Sequence, residues 1–168
     1  MSAVHEEFAK ANEHYVAHFG DKGSLEMPPS KKLAIVTCMD ARLNPAGHLG
    51  ISEGEAHVIR NAGGVAKDAL RSLVVSQRLL GTREVALFHH TDCGMLTFTT
   101  PGLRELVSSQ TPAAAEDVRG IEFLEFSDVE QAVKSDVQYL KENPLLLEGT
   151  TITGWVYEVE TGKARRVV

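Results

Sequence analysis

Apolar positions recur with two different periods along this 168-residue chain. Phe8, Ala11, Tyr15 and Phe19 fall at helical spacing and predict a helix over about 3–18 that ends near Gly20. The run from Asp21 to Ser30, with Gly23, Pro28 and Pro29, reads as a loop. Leu33 to Val36 is a short continuous apolar run, the pattern of a strand buried on both faces, and His57 to Ile59 predicts a second strand. Gly63-Gly64 turns the chain into a helix over about 66–80, where Leu70, Leu73, Val74 and Leu80 keep a 3.6 period and Gly81 supplies the stop. Val85 to Phe88 predicts the third strand, and a loop or short helices follow to about Ile121. Ser127-Asp128-Val129-Glu130 matches a capping box, opening a helix with Val129, Ala132, Val133, Val137 and Leu140 on one face and Pro144 beyond its end. Ile152 to Val159 predicts a strand, Thr161-Gly162 a turn, and Arg165 to Val168 an edge strand.

Alternating strands and helices predict the α/β class: a mainly parallel sheet with helices on both faces, and an antiparallel edge strand at the C-terminus. No repeat or linker divides the chain, so 1–168 is expected to be one domain. In such sheets ligands bind beyond the carboxyl ends of the strands. The residues that end the first and third apolar runs share one rim if those two strands are neighbours.

Composition narrows the function by exclusion. Hydrophobic residues make up 43% and charged residues 24%, ordinary for a globular chain. A net charge of −6 gives no electrostatic footprint for nucleic acid or an anionic membrane. No apolar run approaches the ~18 residues needed to span a bilayer. Met1 to Glu7 is acidic without an apolar core, which argues against a secretory or transit signal and makes the cytoplasm the expected location. Thiols stay reduced there, so the two cysteines are ligands, nucleophiles or packing rather than a disulfide.

Cys38 follows the first apolar run; His90 and Cys93 follow the third. Two thiolates and an imidazole suit Zn²⁺, and three protein ligands leave a fourth position open, as at a catalytic rather than a structural zinc. His89 competes with His90. Alternation along a strand turns the two to opposite faces, so one of them can join Cys93, and the x-x spacing favours His90. Beside Cys38 stand Asp40 and Arg42, spaced for a bidentate ion pair. Asn61-Ala62-Gly63-Gly64 is either a simple turn or a pocket wall of backbone N–H groups, and Gly94 stands next to Cys93. His5, His14, His18, His48 and His57 have no partner motif.

Other chemistries fail on spacing. A Cys-x-x-Cys redox pair is absent. The position six residues after Cys93, where a thiol phosphatase needs arginine, is Thr99. Thr37 to Leu43 contains no glycine, so there is no dinucleotide fingerprint. A structural metal site or a non-catalytic protein that only senses a small ligand remains as an alternative, although neither requires a carboxylate–guanidinium pair beside the metal.

Cys38-x-Asp40-x-Arg42 followed by His90-x-x-Cys93-Gly94 resembles the β-class carbonic anhydrases. The resemblance extends through His57 to Gly64 and through Gly154-Trp155-Val156-Tyr157 to Thr161-Gly162, and is weakest from Thr99 to Phe126. It implies one zinc per chain on Cys38, His90 and Cys93, and Asp40–Arg42 as the catalytic dyad. It further implies hydration of CO₂, or hydrolysis of carbonyl sulfide or carbon disulfide with the same metal set. The expected assembly is a homodimer or dimer of dimers, with the N-terminal helix lying across a partner subunit.

Overall fold

The computed structural model describes residues 3–168; Met1 and Ser2, the start of the expected N-terminal segment, lie outside that range. Five strands form one sheet in the order β2-β1-β3-β4-β5, with β1 Leu33–Cys38, β2 Ala56–Asn61, β3 Glu84–His90, β4 Thr151–Tyr157 and β5 Ala164–Arg166. β1 lies parallel to both β2 and β3, β4 lies parallel to β3, and β5 runs antiparallel to β4. The β1–β3 register, from Leu33 opposite Glu84 to Val36 opposite Leu87, makes the first and third strands neighbours. The rim that the sequence required therefore exists.

The helices are α1 (Phe8–Ala17), α2 (Pro45–Leu49), α3 (Ala66–Leu80), α4 (Thr100–Gln110), α5 (Ala115–Arg119) and α6 (Val129–Glu142). Both faces of the sheet carry helices, but unequally. Ala34, Val36, Val85, Leu87, Ile152 and Val156 alternate onto one face and meet Ala69 and Leu73 of α3 and Val133, Val137 and Leu140 of α6 in a buried core. Gly154 is the contact point of α6 on β4: a Cβ there would stand 2.5 Å from Val133 Cγ1 and 2.8 Å from Val137 Cγ2. The opposite face takes the short α2, whose His48 ring stacks on Tyr157 at 4.3 Å between centroids. α1 buries no residue; Phe8 is 62% and Val16 61% exposed, and Tyr15 ties the helix to Glu53.

Several boundaries differ from the sequence expectation for local reasons. The N-terminal helix begins as a 3₁₀ turn over Val4–Glu7. α6 is capped by Asp128, not Ser127: Asp128 has extended backbone angles and its carboxylate accepts the Gln131 N–H at 2.7 Å, moving the cap one residue along. β4 stops at Tyr157, because Glu158 O accepts the Thr161 and Gly162 N–H groups and closes a turn. β5 is correspondingly earlier than expected, while Val167 and Val168 still donate to Gly154 O beyond its end. The stretch before Ile121 contains a full helix, α4, started by Thr99 as N-cap with Pro101 in its first turn. Among the described residues no helix is long and apolar enough to cross a membrane.

Candidate metal centre

β1 delivers Cys38 as its last residue, and β3 delivers His90 as its last. Cys93 follows after a tight turn in which Asp92 adopts φ +52°. Aspartate is one of the few side chains that tolerates that region. The turn brings the Cys38 and Cys93 sulfurs and a ring nitrogen of His90 within 4.8 Å of one another, all three residues buried.

The surroundings of each atom favour a cation at their centre. His90 Nδ1 faces the Thr91 carbonyl at 2.8 Å. A carbonyl can only accept, so Nδ1 carries the proton and Nε2 is left with its lone pair. Nε2 is buried and has no hydrogen-bond partner. An orphaned buried acceptor between two sulfurs is costly in a protein interior unless something electropositive occupies the space. The thiols agree. A hydrogen bond from Cys93, helped by the Asp40 and Gly63 N–H groups, pulls the Cys38 thiol down to about 4 against the opposing effect of burial. Cys93, donating to that sulfur and itself buried, is pushed far above the usual thiol range. One proton is thus shared between two sulfurs, and a divalent ion is the natural replacement for it. The His90 ring is raised overall: burial lowers it, but the Cys38 sulfur, the Thr91 carbonyl and Asp40 outweigh burial.

Asp40 and Arg42 form the polar flank. Arg42 Nε donates to Asp40 Oδ1 at 3.0 Å and one terminal nitrogen to Oδ2 at 2.8 Å, while the Arg42 backbone N–H reaches Oδ1 at 2.9 Å. These bonds hold the Asp40 carboxyl well below the usual carboxylate range and raise Arg42 further. Asp40 Oδ2 lies 3.8 Å from His90 Nε2, so its carboxylate borders the cation position. Two partners had no sequence signal of their own. Asp92 accepts from Arg42 through its carboxylate at 2.7 Å and its carbonyl at 2.9 Å. Arg60, behind the loop, donates to the carbonyls of Cys38 at 2.9 Å and Asp40 at 2.6 Å.

A cavity of about 400 Å³ opens beside these groups, lined by Cys38, Asp40, Cys93 and an apolar wall of Met95, Phe98, Leu103 and Phe123. Ala62, Gly63 and Gly94 also line it. Asn61 and Gly64 lie behind the lining: Asn61 clamps Val65 through Oδ1 at 2.7 Å and Nδ2 at 3.0 Å, and Gly64 sits against the backbone of Thr37 and Phe88. Sequence reasoning missed the apolar wall. Leu103 and Phe123 come from the stretch of weakest resemblance and Met95 and Phe98 from just before it; the signal available for α4 was the 103/106/107 spacing of Leu103, Leu106 and Val107. His89 points away from the ligands, towards Gly63 O and Asp136. His57 bonds Ser76 on α3, and His48 joins the stack with Tyr157.

Fold and site together define a class: an α/β protein whose parallel sheet carries two sulfurs and an imidazole at its carboxyl rim, flanked by a carboxylate locked to arginine. The chain belongs to the carbonic anhydrase family, in its β class: the family model described as carbonic anhydrase matches residues 33–164. Beta-carbonic anhydrase 1 of Mycobacterium tuberculosis is 45% identical over 168 aligned residues, covering 98% of each chain. The structure of a carbonic anhydrase from Glaciozyma antarctica superposes with a TM-score of 0.96 at 55% identity, covering 100% of both chains. A carbon disulfide hydrolase of Acidianus sp. is 36% identical over 162 residues, covering 83% of this chain and 79% of its own.

Proposed function

We propose that this chain is a zinc-dependent carbonic anhydrase hydrating CO₂ to bicarbonate, with Cys38, His90 and Cys93 as ligands and Asp40–Arg42 as the dyad beside them. The observation that carries this reading is the convergence of three buried ligand atoms within 4.8 Å, one of them a partnerless Nε2, with a carboxylate 3.8 Å from it. Zinc there would act as a Lewis acid, lowering the pKa of water from about 15.7 towards ~7.

The chain's own residues do the rest. Two thiolates cancel the formal charge of a divalent ion, so the site depends on neighbours to orient the attacking water. Asp40 is that neighbour: held ionised by Arg42, it would accept a hydrogen bond from the attacking water and so turn the water's lone pair into the cavity. Arg42 keeps it there, and should it let go, the carboxylate is free to turn towards the metal position itself. The apolar wall admits a small uncharged substrate, and the absence of polar partners on that wall favours release of a charged product. Gly63 and Gly94 bring backbone close to the substrate without side chains in the way.

A second reading keeps the same machinery and changes the substrate to a sulfur-bearing heterocumulene, carbonyl sulfide or carbon disulfide. Met95, Phe98, Leu103 and Phe123 suit a polarisable substrate, and a carbon disulfide hydrolase is among the relatives. The two are separated by stopped-flow CO₂ hydration run in parallel with H₂S release from carbonyl sulfide and carbon disulfide, on protein of measured zinc content. Dominant H₂S release with feeble hydration rejects the first reading. Full zinc with no turnover of any of the three points to a sensor.

The reading extends to assembly and location. The whole chain acts as one domain, and α1, with Phe8 and Val16 exposed and none of its residues buried by the described chain, lies across a second copy in a homodimer or dimer of dimers. Two free buried thiols suit the reducing cytoplasm. Light scattering of the full chain tests the first point; a monomer at micromolar concentration rejects it.

A further inference from the structure

His89 stands one residue before the ligand His90 but on the opposite face of β3, with its side chain fully buried. Both ring nitrogens face oxygens. Nδ1 donates to the Gly63 carbonyl at 2.6 Å, and Nε2 lies 3.2 Å from Asp136 Oδ2 on α6. The same Oδ2 accepts the Ala66 N–H at 2.9 Å, and Phe126 meets the ring edge-on with centroids 4.9 Å apart. The ring is therefore held by three separate elements.

What it holds in turn is a weak point of the backbone. Gly63 and Gly64 are consecutive left-handed glycines, with φ +83° and +71°. Such a pair can rotate its peptide planes at little cost unless something outside grips them. A side chain cannot supply the grip, because a Cβ on Gly63 would stand 2.8 Å from Met95 Cγ. His89 takes the Gly63 carbonyl, and on the neighbouring plane the Gly63 N–H points at Cys38 Sγ, 3.3 Å away. The two planes hinge on one Cα, so fixing the first restricts the second.

We infer that His89, braced by Asp136, is a positioning residue for the metal centre: it grips the Gly63 carbonyl and thereby keeps the Gly63 N–H on the Cys38 sulfur. The inference rests on the metal reading proposed above. A hydrogen bond donated to a thiolate draws charge from the sulfur, which leaves a bound metal more electrophilic and the sulfur harder to protonate. Groups that orient metal ligands in this way typically contribute about ten- to a hundredfold in metal affinity.

The test uses full-length protein, zinc affinity by chelator competition and the sulfur-to-cobalt charge-transfer band of cobalt-loaded protein. His89→Leu keeps bulk and apolarity but removes the donor. It should bind zinc about ten- to a hundredfold more weakly and move the band to lower energy. His89→Asn places an amide nitrogen near the Nδ1 position and should recover most of both. Asp136→Asn should shift both in the same direction by less. A purely structural role would lower the yield of folded protein without moving the band of the part that folds. If His89→Leu fails to fold, the other two variants decide: wild-type affinity and band in Asp136→Asn overturn the inference, and weakened affinity there with recovery in His89→Asn supports it. A His89→Leu variant indistinguishable from a normally loading wild type overturns this inference alone. A wild type that takes up neither zinc nor cobalt overturns the metal reading and this one with it.

Discussion

The two walls of the cavity are built by different means. On one side Cys38 and Asp40, backed by Arg42 and His90, are held by directed hydrogen bonds, with Asp92, Gly63 and Thr91 among the partners of this group. On the other, Met95, Phe98, Leu103 and Phe123 are placed by packing, with Phe98 and Phe123 meeting edge to face at 6.3 Å. Behind that wall Glu125 accepts the Thr100 N–H and hydroxyl, and Arg104 holds the Ile121 carbonyl, so the backbone is latched while the side chains facing the cavity are free of polar ties. The difference separates chemistry from access. Directed bonds fix where a proton and a lone pair stand; an apolar surface selects by size and polarisability.

The largest effect should come from the directed wall. Cys93→Ser exchanges a thiolate for a poor zinc ligand, and both zinc content and turnover should fall by orders of magnitude; metal analysis with stopped-flow hydration checks it. Arg42→Ala should retain zinc yet lose about a hundredfold in turnover, the usual scale for a misplaced reacting group. Unchanged turnover in that variant removes the dyad from the mechanism. Behind the same wall, Gly64→Ala would force a Cβ to 2.7 Å from Phe88 O at a φ of +71°. A loss of about 2–4 kcal/mol in denaturant unfolding is expected.

Smaller effects should come from the apolar wall and from pH. Phe123→Ala should leave zinc content and the CO₂ rate near wild type while changing the ratio of carbon disulfide to CO₂ turnover about tenfold, within the range set by the fit of an apolar pocket. A change in CO₂ turnover as large as that in Arg42→Ala would erase the distinction between the walls. For pH, Cys93 is held protonated at neutrality because its pKa is raised, whereas Cys38 at about 4 is already a thiolate. Zinc must displace the Cys93 proton, and the raised His90 ring adds to the protons it competes with, so its affinity rises with pH and binding at pH 7 releases at least one proton. Calorimetry in buffers of different ionisation enthalpy measures that number. The Asp40 pKa moves the other way: depressed, it keeps the carboxylate ionised below the usual range, and the stability carried by its charged form is lost as pH falls towards that lower value.

The same contrast explains what could be read from the sequence. Cys38, Asp40, Arg42, His90 and Cys93 were legible because each sits at or just beyond a strand end within a few residues of its neighbour, so one register relation between β1 and β3 assembles them all. α3 and α6 were legible through period together with end signals, Gly81 after α3 and the capping-box residues before α6. The apolar wall was not, because Met95 and Phe123 lie 28 positions apart and meet only after α4 and α5 have folded back. α2 escaped because five residues are too short for a period, although Asn44 as cap, Pro45 and a left-handed Gly50 mark its ends. The brace from His89 to Asp136 spans 47 positions and leaves no local pattern.

Arg42 joins two loops. Its planar cation touches the carboxylate that follows β1 and, through Asp92, both a side chain and a carbonyl in the turn that follows β3. It therefore works as a rivet between two loops that no strand pairing joins at that level. Anything that withdraws it, an anion competing for the guanidinium or a modifying reagent, unfastens the Asp40 carboxylate and the curl of the turn before Cys93 in a single event. A lysine in its place would fill one hole of the rivet and leave the other empty.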